Sequence, residues 1–385
     1  MGWRIGNETD FVSSDLTHEF TCVGSMDVTA VFESVKEHYK NDWTGSGTQT
    51  DPFVIPDLDG WMKLKDLVEN YPAGVTSGLY FALGGDITLA SGNTIGTEKK
   101  PFCGCLDGKN HTLTYDVNEN SMTIGLNAPF SYVQDATFMN IHACGTIKTK
   151  SILASGLIIR ANGTTTLTNC RSSISITSTY GATSINKDGY HAGFVCRGEN
   201  LVFTGCIFDG SFDAAPTSSC CGFVGYVYAN KTCTFKDCLF VPTLLDVKDD
   251  FRPFVRIGSN RTLDLTNCYF KNMDYKSADQ GKKPYQVTTN ENVAISFGEG
   301  NEYDVSGITA YDAGMEYGGS FFAGAGDTVT FTLTSPSDGF AKCSAGTLTL
   351  SGSTYQLTMP EEDVVISSFY GMQDKEIVLS ETSYT

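Results

Sequence analysis

Gly193-Phe-Val-Cys-Arg197, followed closely by Leu201-Val-Phe-Thr-Gly-Cys206, recurs with small changes along the middle of the chain. The related copies read Gly156-Leu-Ile-Ile-Arg160 with Thr166-Leu-Thr-Asn-Cys170, Gly222-Phe-Val-Gly-Tyr226 with Thr234-Phe-Lys-Asp-Cys238, and Pro253-Phe-Val-Arg-Ile257 with Asp264-Leu-Thr-Asn-Cys268. A supersecondary unit of this length cannot bury its own apolar face, so the copies must stack on one another. The phrases end on Cys170, Cys206, Cys238 and Cys268, with Cys144 as an earlier member, at unequal intervals. A constant phrase at unequal intervals means loops of different length on one frame.

Within the phrase, apolar residues alternate: Leu201 and Phe203, then Cys206 and Phe208; Leu263 and Leu265, then Cys268 and Phe270. The period of two slips by one step just before each Cys. The residue at the slip is Asn169, Gly205, Asp237 or Asn267, types that accept a left-handed or turn conformation. It reads as a corner between two strands. Short strands, a repeated corner and stacked like residues predict an all-β fold built on a right-handed parallel β-helix. Three interior ladders are expected: Phe130, Leu157, Phe194, Phe223 and Phe254; Ile141, Leu167, Phe203, Phe235 and Leu265; and the Cys column. Phe223 should point inward and Val224 outward.

The ends change character. Residues 1–36 read as the remnant of a small β repeat, from the alternation between Thr17 and Phe32. Residues 37–72 read as a linker, Asn41 to Thr50, and a helical N-terminal cap in which Leu58, Trp61, Leu64, Leu67 and Val68 share one face; Glu33 to Lys40 can form a short helix. The repeats fill 73–275. Residues 284–385 carry five alternating strands and predict a small antiparallel β domain, separable through the polar segment from Tyr275 to Pro284.

The formal charge of −18 argues against a nucleic-acid partner, which demands clustered Lys and Arg, and none is expected. No apolar run is long enough to span a membrane. The start lacks an apolar signal core, so the chain is expected to be either intracellular or part of a longer secreted chain, and the repeat content favours the second, an exported multidomain protein. Thirteen Cys occur with no CxxC pair and no zinc spacing. Most are expected to be reduced and buried, and no metal or cofactor is expected. Cys220-Cys221 and Cys103-Gly-Cys105 are the close pairs.

Pro101-Phe-Cys-Gly-Cys-Leu-Asp-Gly-Lys-Asn-His-Thr-Leu113 resembles the opening coil of the GLUG-type β-helical repeats of large surface proteins in gut bacteria, and the Gly-Phe-Val phrases are similar to their later coils. Tyr355 to Ile366, with its Thr-Met-Pro-Glu-Glu-Asp-Val core, resembles the closing hairpin of bacterial surface β-repeats of the internalin B-repeat type, and Phe20 to Phe32 looks like the end of another. The resemblance implies spacing and adhesion at the cell surface or outside the cell. It implies no catalytic residue.

Parallel β-helices also carry polysaccharide lyases and glycosidases, so an enzyme is the rival reading. A glycosidase needs two carboxylates across a sugar, and a lyase needs a base near cations. Asp209, Asp213, Asp249, Asp250 and Asp188 beside His191 are the carboxylates to weigh, and none makes a signature; Asp-Gly is first a turn dipeptide. His111 and His142 stand alone. A binding site is read from register instead. Arg160, Arg197 and Tyr226 take the same place in successive copies, with Arg256 one place earlier in the next. Arg and Tyr in one strip suit a glycan or a host protein surface through forks and stacking.

Overall fold

The structure, a computed structural model, describes residues 2–5, 19, 21, 24–31, 34–119, 126–178, 190–214, 219–247, 251–256, 262–274, 279–337 and 339–369. Asp188, Asp249 and Asp250 lie outside the described residues. The fold is all-β with large parallel sheets, and each full repeat adds a strand to each of three. The first runs from Phe53–Ile55 through Tyr80–Leu83, Cys105–Asp107, Thr137–Met139, Ile158–Thr168, Val195–Thr204 and Thr232–Lys236 to Thr262–Thr266. The second includes His142–Cys144, Arg171–Ser172, Ile207–Phe208, Leu239–Phe240 and Tyr269–Phe270 in consecutive parallel pairs. The third contains Leu126–Asn127, Leu153–Ser155, Tyr190–Ala192 and Ser219–Cys221.

The phrase opens on Gly because neighbouring repeats leave no room for a side chain. A Cβ on Gly193 would lie 2.2 Å from the Gly222 carbonyl oxygen, and one on Gly222 would lie 1.9 Å from that of Pro253. Behind each Gly the chain bends. Leu157, Phe194, Phe223 and Phe254 stack inside, with ring centroids 5.0 Å apart for Phe194–Phe223 and for Phe223–Phe254. Phe203 and Phe235 form a second stack at 4.9 Å. Stacking these rings out of water stabilises each by about 1.5–3 kcal/mol.

The corners are left-handed as expected. Asn169, Gly205, Asp237 and Asn267 have φ of 51°, 60°, 55° and 52°, and Asn140 joins them at 53°. Their side chains form a ladder in which Asn140 donates to Asp107 at 2.9 Å, Asn169 to Asn140 at 2.7 Å and Asn267 to Asp237 at 2.8 Å.

Two ladders start differently from the sequence reading. Because Asn140 is the corner, Ile141 follows it as Cys170 follows Asn169, so Ile141 heads the column of Cys170, Cys206, Cys238 and Cys268. Cys144 pairs with Thr114 and is half-buried, outside that column. Phe138 takes the place expected of Ile141, paired with Leu167. Phe130 pairs with Ile158, one place beyond Leu157. Val224 is as buried as Phe223, because the bend at Gly222-Phe223 interrupts the alternation that would have turned it out.

A helix forms where one was expected. Asp57 caps the helix Leu58–Asn70 by accepting from the Gly60 N–H at 3.0 Å, and Trp61, Leu64, Leu67 and Val68 are buried. Trp61 packs on Phe130 with centroids 5.3 Å apart. The preceding segment, expected as a linker, is tied in: Trp43 is buried, stacks on Tyr39 and donates to the Gly60 carbonyl at 3.2 Å. A short helix, Val35–His38, is capped by Ser34.

Residues 284–369 form a seven-stranded and a four-stranded sheet around their own core, antiparallel except for Pro284–Thr289 beside Val364–Phe369. Besides Phe340–Cys343, the sequence reading missed four consecutive strands, Asn301–Tyr303, Ile308–Ala310, Met315–Tyr317 and Ser320–Gly324. These strands dock on the repeats, where Ile308, Ala310, Met315 and Phe322 share a buried cluster with Ile207, Leu239 and Tyr269. The connector is also held. Gln280 is buried and its Oε1 accepts from the N–H groups of Phe254 and Val255. A boundary chosen for few contacts thus carries a shared core.

Candidate functional site

Parallel register brings Tyr132, Arg160, Arg197 and Tyr226 into one column across four successive repeats. All four side chains are half-buried. Tyr226 packs against an apolar flank of Leu153, Ile159 and Cys196. The Arg160 guanidinium carbon sits 5.7 Å from the Tyr132 ring centroid, and that of Arg197 sits 5.0 Å from Tyr190, both within cation–π reach. Tyr190 in turn packs on Tyr226 at 5.2 Å, and Tyr226 meets Tyr228 edge-on at 6.0 Å. Arg160 Nη1 approaches the Tyr228 hydroxyl at 3.5 Å, while its buried Nε has no acceptor among the described residues. Arg256 lies outside the column: the Val224–Val255 bridge sets it opposite Gly225. Glu199 closes one side of the column, accepting from Gly163 N–H and from Lys231.

Two positively charged planar groups framed by phenol rings can take an anionic group by forked hydrogen bonds and a flat ring face by stacking.

Of the carboxylates weighed for catalysis, Asp209 and Asp213 lie among the described residues. Asp209 Oδ2 pairs with Arg171, and its Oδ1 accepts from the Ser173 hydroxyl at 2.6 Å. Arg171 Nε donates to that same hydroxyl at 3.2 Å, and His142 Nε2 lies 2.9 Å from it. Burial, and then the Arg171 charge, hold His142 below the usual histidine value. This cluster borders the apolar surface where Ile207 and Leu239 receive the C-terminal strands. The sequence reading named His142 and Asp209 singly; Ser173 and Arg171, which join them, sit on an intervening repeat that unequal loop lengths hide. Asp213 is exposed, paired in register with Asp246. His111 lies 3.5 Å from Asp86.

His191 is fully buried, with Nε2 3.2 Å from the Ser151 carbonyl and Nδ1 4.0 Å from Cys220 Sγ. Burial pushes its pKa down to about 4, so it is a neutral core residue. The described cysteines are all free thiols. Burial raises Cys170, Cys206, Cys233 and Cys238 well above the usual thiol value. Among the described residues no group of three or more His, Cys, Asp and Glu is placed to hold a metal, and no helix is long and apolar enough to cross a membrane.

No family model matches the chain, and no curated relative matches it. A solved structure from Bacteroides ovatus, described as a "putative immunoglobulin A1 protease", is similar at 14% identity over 62% of this chain and 84% of its own, with a TM-score of 0.35. That likeness is too slight to bear on fold or function.

Proposed function

We propose that this chain is a non-catalytic binding segment of an exported bacterial surface protein, and that its Arg and Tyr column holds an acidic glycan. In this reading the stacked repeats are a right-handed parallel β-helix of the GLUG type, and the C-terminal sheets are a surface β-repeat that closes its flank. One observation carries the binding claim: Arg160 and Arg197 are paired in register, with Tyr132 and Tyr226 as the next rungs on either side. Adjacent rungs are about 4.8 Å apart, so a sugar chain laid along the column would meet a cation or a ring at every step. The acidity of the whole chain sharpens the contrast, because two arginines in register stand out against a charge of −18.

The test is a glycan array probed with the protein at low and high salt, with a reducing-sugar assay on every glycan retained. Salt-sensitive retention of uronate-bearing or sulfated oligosaccharides, with no new reducing ends, is the expected result. New reducing ends would establish the polysaccharide-degrading enzyme instead, and retention of host glycoproteins only after their glycans are removed would point to a protein ligand.

A further inference from the structure

At the head of the column lies a depression of about 380 Å³ whose walls include Lys65, Glu69, Thr97, Asn127, Ser131 and Tyr132. That volume is in the range of small-molecule sites, about 300–1,000 Å³. Its polar groups are braced. Lys65 Nζ donates to Glu69 Oε1 at 2.6 Å and to the Thr94 carbonyl at 2.7 Å, and the Gly96 N–H donates to the same Glu69 oxygen at 3.1 Å. Only glycine brings that N–H so close, since Gly96 has φ of +91° and a Cβ there would lie 2.3 Å from the Tyr132 carbonyl oxygen.

We infer that this depression is a subsite for a neutral pyranose ring, gripped through adjacent hydroxyls by Glu69 and Lys65 and laid on Tyr132. The bracing consumes Glu69 Oε1 and two of the three Lys65 hydrogens, leaving Glu69 Oε2 and one ammonium hydrogen without a partner among the described residues. A fixed acceptor beside a fixed donor matches a vicinal diol, in which one hydroxyl gives a hydrogen bond and its neighbour receives one. Lys65 and Glu69 cancel in charge, and a uronate here would face the free carboxylate oxygen, so the ring is neutral, unlike the acidic unit assigned to the arginines. Tyr132 serves both places, because it also carries the Arg160 guanidinium. The inference builds on the glycan reading of the column: the preferred ligand joins an acidic sugar to a neutral one.

Saturation-transfer NMR on the full chain with the methyl glycosides of glucose, galactose and mannose tests the subsite alone. At least one should give transfer in the parent protein, with binding weakened about tenfold or more by Glu69→Gln, which keeps an acceptor for Gly96, and by Lys65→Met. No transfer from any of the sugars, or undiminished transfer in folded Lys65→Met and Glu69→Gln proteins, overturns the subsite. If the column reading is wrong and the subsite right, acidic oligosaccharides go unbound while the monosaccharide signal persists.

Discussion

Tyr303 fills the space that Gly205 leaves empty: a Cβ on Gly205 would lie 2.1 Å from Tyr303 Cδ1, and the Tyr303 hydroxyl donates to Asp237 Oδ2 at 3.0 Å. The corner ladder of Asn and Asp side chains breaks at Gly205, and a tyrosine from the C-terminal strands enters the break. On either side the corners hold the turns that join the C-terminal strands. Asn169 Oδ1 accepts from the Val305 and Ser306 N–H groups, and Asn267 exchanges hydrogen bonds with the Gly314 backbone in both directions. The corner column that turns the chain within each repeat is also the seat of the C-terminal domain.

Gly205→Ala should therefore cost about 2 kcal/mol or more, combining a left-handed backbone penalty with overpacking against the Tyr303 ring. Urea unfolding measures it. In the Tyr303→Ala background the same change should cost less, since only the backbone part remains; equal costs in both backgrounds would place Tyr303 elsewhere.

Phe223→Ala is expected to lose about 3–5 kcal/mol, as a large-to-small change in a packed interior. Val224→Ser should lose more than about 1 kcal/mol, because it puts a hydroxyl in a fully buried site. A near-neutral Val224→Ser variant would restore the simple alternation and remove the bend.

Much of the repeat region was legible because its signals are local. The slip before each Cys named the left-handed corners, and the Gly-Phe phrase named the interior stack. Alignment on Cys identity misplaced Cys144, because the earliest copy carries Ile141 where the later ones carry Cys; the corner residue Asn140 is the better guide. Val224 was misread because a period of two cannot foresee a bend. The docked strands Asn301–Tyr317 were missed because short strands rich in Gly, Asp and Tyr look like turns until a partner surface is supplied. Arg160, Arg197 and Tyr226 were found by register alone, whereas Tyr132 and Tyr190 come from less regular copies and needed three dimensions.

Native thiol titration should detect at most the half-buried Cys103, Cys105, Cys144 and Cys343 among the described thiols, and slowly, since burial pushes Cys105 up to about 11. After denaturation the count should rise to 13. Oxidation of the column cysteines to disulfides would contradict their packing as small apolar residues.

His191 makes stability pH-dependent. Its pKa falls from 6.5 to about 4 on folding, so between those values the unfolded chain binds the extra proton. Its contribution is complete above about pH 6.5 and is lost as the pH drops toward 4, by about 3 kcal/mol. Urea midpoints across this range should fall with pH, and less steeply in His191→Gln. An unchanged slope in that variant would assign the dependence to other groups.

The Arg160→Ala, Arg197→Ala double variant tests the binding claim most directly, through its affinity for the acidic oligosaccharide retained most strongly by the parent protein. The account predicts a cooperative melt, with binding weakened at least about tenfold, or about 1.4 kcal/mol, and with the salt dependence of the remainder reduced. A folded double variant that binds as tightly as the parent, with the same salt dependence, would contradict it and leave the column a purely structural feature.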